Sequence, residues 1–194
     1  MKYDNKKVAG ALLFVGSVQF FLGLVIAEVL FPGYNISVNF ISDLGVGPTS
    51  LIFNSSVFLL GVFVVAGAYF IQRAFASRLI SVLFTLTGSG AMGVGLFPET
   101  TGIMHIISAL IAFGFGGLSA IVSYKLQKPP LSYFSVLLGV LSLVALALFV
   151  SQTYLGLGKG GMERMIVYPI LLWVVGFGGH LIGYSRDTIT TTES

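Results

Sequence analysis

Six apolar stretches, residues 8–31, 51–71, 79–97, 103–124, 133–152 and 165–184, take up most of this chain, and the one Asp, Glu, Lys or Arg inside any of them is Glu28. A helix rises 1.5 Å per residue, so about 20 such residues cross the hydrocarbon of a bilayer. The whole sequence is 56% hydrophobic and 9% charged, with a mean hydropathy of +0.98. A soluble domain carries about 25% charged residues, and a chain this poor in them cannot cover its surface in water. In lipid a chain must satisfy its backbone groups internally, which leaves helices for spans of this length. The expected fold is therefore all-α, a six-transmembrane-helix antiparallel bundle forming a single integral membrane domain over residues 1–194.

Punctuation between the stretches supports these bounds. Phe31-Pro32-Gly33-Tyr34 ends the first, Pro48-Thr49-Ser50 starts the second, Thr100-Thr101 the fourth, and Pro129-Pro130 the fifth. The first stretch is longer than the 7–15 apolar residues of a signal peptide and lacks a small-residue cleavage site, so it reads as a retained helix. The remaining connections are short, which makes sequence neighbours pack against one another. With the N-terminus inside, Lys2, Lys6, Lys7, Arg73, Arg78, Lys125, Lys128 and Arg186 fall on the inner side, and Lys159 and Arg164 on the outer side. The excess of inner Lys and Arg puts both termini in the cytoplasm and the chain in the cell membrane as a multi-pass protein.

On that topology the remaining charges gather. Asp43, Glu99 and Glu163 lie in outer connections, Glu28 in the last turn of the first helix, and His105 in the first turn of the fourth. Arg164 opens the sixth helix on the same side; Asp4, Asp187 and Glu193 are in the tails. An ionised, unpaired Glu28 at the hydrocarbon boundary costs a few kcal/mol. A cation at a helix start opposes the macrodipole. Arg164 is thus expected to pair with Asp43, Glu99 or Glu28 and tie the first outer loop, Asn39 to Pro48, to the sixth helix. The cluster either forms a functional pocket or only seals the rim, with Glu163 solvated. His105, with Ser108 a turn along, is either a neutral histidine bonded to a loop carbonyl or an acid/base near neutral pH.

Other features set limits. His180 lies roughly 20 Å from the start of the sixth helix at 1.5 Å per residue, so the two histidines cannot share a metal, and no metal or cofactor is expected. Cys is absent, which removes disulfides and thiolate chemistry. Scattered Lys and Arg form no stripe for nucleic acid. The midplane carries Gln19, Ser81, Thr85 and Ser89 but no ionisable group, against a cation-coupled transporter or pump. The hydroxyls read as interhelical hydrogen bonds, and the glycines of helices three, four and six as close packing rather than a cavity. Gly156 to Gly161 reads as a flexible outer loop, since it lacks the spacing of a phosphate loop. Asn35-Ile36-Ser37 is an outer sequon, and Asn54-Ser55-Ser56 falls within a helix.

Three segments carry a resemblance: Ile41-Ser42-Asp43-Leu44-Gly45, Gly95-Leu96-Phe97-Pro98-Glu99 with His105, and Glu163-Arg164 with Trp173. Together, and in this order, they resemble the uncharacterised prokaryotic membrane family known as domain of unknown function 998. The resemblance implies six membrane helices, supplies no activity, and implies that Ser42, Asp43, Glu99, His105, Glu163 and Arg164 form a shared feature. A more distant likeness is to ceramidase-type membrane hydrolases, which hold zinc on three histidines where this chain has two.

The expectation is thus a membrane protein whose outer cluster (Ser42, Asp43, Glu99, His105, Arg164, Glu28, Glu163) binds a lipid headgroup, a small ligand, or a partner subunit or second copy. The alternative is a lipid-modifying enzyme with His105 as acid/base, Asp43 or Glu99 orienting it, and Arg164 holding a phosphate or carboxylate. That alternative needs His105 within about 3 Å of a carboxylate.

Overall fold

The computed structural model describes residues 4–183; Lys2, Tyr184, Arg186, Asp187 and Glu193 lie outside the described residues. Six helices follow one another: α1 (Asn5–Leu30), α2 (Ser50–Phe75), α3 (Arg78–Leu96), α4 (Ile103–Val122), α5 (Leu131–Val150) and α6 (Gly158–Gly183). All six are long and apolar enough to cross a membrane, and there are no strands among the described residues. Large apolar side chains stand exposed along them, Leu51 at 80% and Val29 at 78%, as suits a surface that meets lipid rather than water.

Local chemistry explains the helix ends. Asp4 is not a loose tail residue but the N-cap of α1, its carboxylate accepting from the Lys6 amide at 2.9 Å. α2 stops where Ala76 turns left-handed at φ 52°, and Gly102 at φ 62° separates the turn Glu99–Thr101 from α4. The largest departure from the sequence reading is α6. It begins at Gly158 rather than 165, so Gly158 to Gly161, within the glycine-rich segment that reads as a flexible loop, are its first turn, while Gly156 and Leu157 stay outside the helix. That turn is usable because it has almost no side chains. The Gly160 amide donates to the Ser37 carbonyl at 3.0 Å, and a Cβ at Gly160 would run into the carbonyls of Asn39 and Ile36.

Each helix packs on its sequence neighbours, α1 also packs on α6 to close a ring, and α4 touches α6 across it. Small residues make the close approaches. A Cβ on Gly61 of α2 would sit 2.5 Å from the Gly88 carbonyl of α3, and one on Gly10 of α1 2.6 Å from the Gly178 carbonyl of α6. Gly114, Gly176, Gly179 and Gly183 face open space instead, and glycine packing serves the α1–α2, α1–α6, α2–α3, α3–α4, α4–α5 and α4–α6 seams rather than only helices three, four and six. The hydroxyl stripe is also mostly not a seam. Ser81 reaches Gln72 on α2 at 3.0 Å, but Thr85 bonds within its own helix and Ser89 is exposed. Crossings are made by Gln19 of α1 to the Ser56 carbonyl (2.8 Å) and by Thr87 of α3 with Ser119 of α4 (3.3 Å). At one end of the ring Trp173 and Phe177 stack at 5.7 Å with Phe84 against both, each pair worth about 0.5–1.5 kcal/mol beyond its contact area.

Candidate functional site

The connections α1–α2, α3–α4 and α5–α6 meet at one end of the ring, here the rim. The first of them is folded by its own side chains. Asp43 accepts from the Phe40 amide (3.0 Å) and the Asn39 side chain (2.9 Å), which sets the short 3-10 helix Ser42–Gly45. Thr49 then donates to the Leu44 carbonyl (3.0 Å) and Asn54 to the Gly45 carbonyl (2.9 Å), fastening that helix to α2. Asn54, the asparagine of the second sequon, is thereby inside a helix and engaged.

Arg164 pins this connection to α6. It lies in the second turn of α6, not at its start, because the helix begins at Gly158. Its guanidinium donates to Glu28 at 2.5 Å, to the Tyr34 hydroxyl at 2.6 Å, and to the carbonyls of Gly160 (2.9 Å), Ile36 (3.0 Å) and Asn39 (3.4 Å). Tyr34 in turn donates a hydrogen bond from its hydroxyl to the Phe40 carbonyl at 2.8 Å, and burial pushes its pKa up to about 12, partly offset by Arg164. Of the three expected partners Arg164 takes Glu28. The ion pair joins a nearly buried arginine, 5% exposed at the side chain, to a carboxylate 15% exposed. Of the guanidinium nitrogens, Nε has no partner among the described residues.

Glu163 is not solvated. It is 6% exposed and accepts the Ile41 amide at 2.5 Å through Oε2, while Oε1 has no hydrogen-bond partner among the described residues. The side chain turns inward because it sits on the face of α6 that carries Val167, Ile170 and Leu171. Those residues wall a cavity of about 80 Å³ inside the ring, closed by Phe20 of α1, Phe53 and Val57 of α2, Thr87, Ala91 and Val94 of α3, and Ala109, Ala112 and Phe113 of α4. Ser42, His105 and Glu163 line it as well. His105 is 8% exposed; its Nδ1 lies 2.8 Å from the Phe97 carbonyl, and Nε2 has no partner among the described residues. The histidine therefore meets a loop carbonyl, and no carboxylate among the described residues is hydrogen-bonded to it. Helix-packing glycines did not exclude a cavity, because residues with small side chains, Ala91, Ala109 and Ala112, also leave space where α3 and α4 face α6.

Asp43 and Glu99 form the outside of the same region. Ser42 donates to Glu99 at 3.3 Å, and the Glu99 carboxyl lies beside that of Asp43 in an open concavity of about 440 Å³ floored by Phe31, Gly47 and Thr100. Burial raises the Glu99 pKa first, and the Asp43 carboxyl raises it further; Ser42 and Lys159 oppose this weakly. Lys159 itself stands over the Phe40 ring, 4.2 Å from its centre.

The seven predicted residues thus fall into three groups, two at the rim and one inward of it. Arg164 with Glu28 makes a neutral brace, Ser42 with Asp43 and Glu99 makes an acidic mouth, and Glu163 and His105 lie inward of both. Among the described residues no three His, Asp or Glu side chains are grouped to hold a metal ion. Sequence reasoning missed Tyr34, whose aromatic ring and hydroxyl in the break after α1 are the interface type. It also missed Thr87 and the backbone partners at Ile36, Ile41 and Phe97, which have no residue-type signature. No curated protein and no solved structure matched the chain. Residues 14–180, which take in every rim group from Glu28 to Arg164, match the model of the family described as Protein of unknown function (DUF998), and the chain belongs to that family.

Proposed function

We propose that this multi-pass membrane protein binds a small ligand, with its polar part at Ser42, His105 and Glu163 and a short apolar part in the cavity. The bundle is antiparallel in this reading, both termini are cytoplasmic, and the rim faces outward from the cell membrane, supported by the distribution of Lys and Arg. The observation that carries the reading is the cavity. Its walls are apolar, its volume is several times the roughly 10–15 Å³ a single water needs, and the polar side chains of Ser42, Thr87, His105 and Glu163 line it. Arg164 and Glu28 build the rim and do not contact the ligand. An enzyme with His105 oriented by Asp43 or Glu99 is the weaker reading, because Nδ1 faces the Phe97 carbonyl.

The test is native mass spectrometry of the full chain extracted in mild detergent. An adduct of small-molecule mass is expected on the wild type and is lost on filling the cavity with Ala112→Leu or Ala91→Leu. If the filled variants, folded by circular dichroism, keep the adduct, the cavity is not the site.

A further inference from the structure

Resting on that reading, we infer that the ligand's polar part is a hydrogen-bond donor, a hydroxyl or ammonium group on a body of a few carbons, and not a carboxylate, phosphate, ether or ketone. The reason is where the cavity's own polar side chains spend their hydrogens. Four of them line it, Ser42, Thr87, His105 and Glu163. Ser42 donates its hydroxyl to Glu99 at 3.3 Å, and Thr87 donates its hydroxyl to the Leu83 carbonyl at 2.8 Å. His105 Nδ1 lies 2.8 Å from the Phe97 carbonyl, which can only accept, so the ring hydrogen sits on Nδ1. In the neutral ring the other nitrogen, Nε2, is then an acceptor. Glu163 as a carboxylate has no hydrogen to give, and it already receives the Ile41 amide.

The lining side chains thus present lone pairs and no hydrogens. None of the other lining residues is a Lys, Arg, Asn, Gln, Tyr or Trp that could add a donor. Arg164, the neighbour of Glu163, has its terminal nitrogens engaged by Glu28, Tyr34 and the carbonyls of Gly160, Ile36 and Asn39. Burial makes the mismatch costly, since Glu163 is 6% exposed and Ser42 and His105 are 8% exposed. An acceptor head would set lone pair against lone pair away from water, and both sides would lose their hydration without return. A donor head supplies the hydrogen that each of these groups lacks, and a donor bound to an ionised Glu163 makes the stronger, charge-assisted kind of bond. Size sets the body. At roughly 10–15 Å³ for each water-sized share, a cavity of about 80 Å³ takes a molecule of a few carbons and no long chain.

The experiment titrates the full chain in detergent with four probes that share an isobutyl body: 3-methylbutan-1-ol, 3-methylbutan-1-amine, 3-methylbutanoate and isobutyl methyl ether. Binding is read by saturation-transfer NMR, corrected for uptake by empty micelles. The alcohol and the amine are expected to bind at least about tenfold more tightly than the ether and the carboxylate, and Ala112→Leu is expected to abolish binding. An amine that outbinds the alcohol, with the difference lost in Glu163→Gln, marks ammonium as the head; equal binding marks hydroxyl. Glu163→Gln is expected to keep its oxygen on the Ile41 amide and to add an NH₂ donor, lowering alcohol and amine affinity by about three- to tenfold. The wild-type ranking decides the matter even where that variant fails to fold. If the ether or the carboxylate binds as tightly as the alcohol and Ala112→Leu removes it, the donor head is overturned and the cavity reading stands. If Ala112→Leu, folded, leaves probe binding unchanged, both are overturned. If none of the four binds, the donor head is overturned, and the mass-spectrometric adduct decides the cavity reading by itself.

Discussion

At the scale of single residues, the site rests on how one arginine is satisfied. Arg164 joins α6 to the last turn of α1 and to three carbonyls, all within hydrogen-bond distance. A buried pair gives little net stability compared with apolar residues of the same shape, but removing one partner strands the other charge at a cost of about 3–5 kcal/mol. Arg164→Ala is therefore expected to lower the thermal midpoint in detergent by about 10 °C, since each kcal/mol is worth about 2–4 °C in a chain of this size. Replacing both, Glu28→Gln with Arg164→Met, should recover part of that loss. A single Arg164→Ala that melts within a degree or two of wild type would show that the brace holds nothing. The pairing choice itself was only half legible in advance: residue types narrowed the partner to three acids, but the extra turns of α6 carry Arg164 towards Glu28 and leave Asp43 and Glu99 facing each other.

At the scale of elements, α6 shows where pattern reading stops. Gly158 to Gly161 has no apolar period, so hydropathy ends the span too late, yet the segment is helical because its bare backbone can lie against the first connection. Gly160→Ala is expected to destabilise by about 1–3 kcal/mol through overpacking against the Asn39 and Ile36 carbonyls. Gly176→Ala, on the same helix with nothing within 4 Å of the new methyl, is expected to be neutral or to gain up to about 1 kcal/mol from helix propensity. Thermal unfolding followed by circular dichroism separates the two, and equal effects would refute the docking of the first turn. Pro169 further along α6 removes a backbone donor, and Ser142 of α5 donates to the Ile166 carbonyl in that disturbed turn at 2.8 Å.

At the scale of the molecule, the absence of cysteine makes the proposed orientation directly testable. Thr100→Cys at the rim is expected to react with a membrane-impermeant maleimide on intact cells, and Lys128→Cys, in the α4–α5 connection, only after permeabilisation. The reverse pattern would turn the bundle over and place the acidic mouth inside. What the amino-acid order determined alone was the number of spans, their punctuation and the collection of charges at one end, because lipid excludes ionised groups and demands helices over long apolar runs. What only the tertiary structure decided was the division of that collection into a neutral brace and an acidic mouth, the burial of Glu163, and the cavity beneath it. Those depend on distances between segments far apart in sequence and on backbone carbonyls and amides, which every residue carries and no residue type announces.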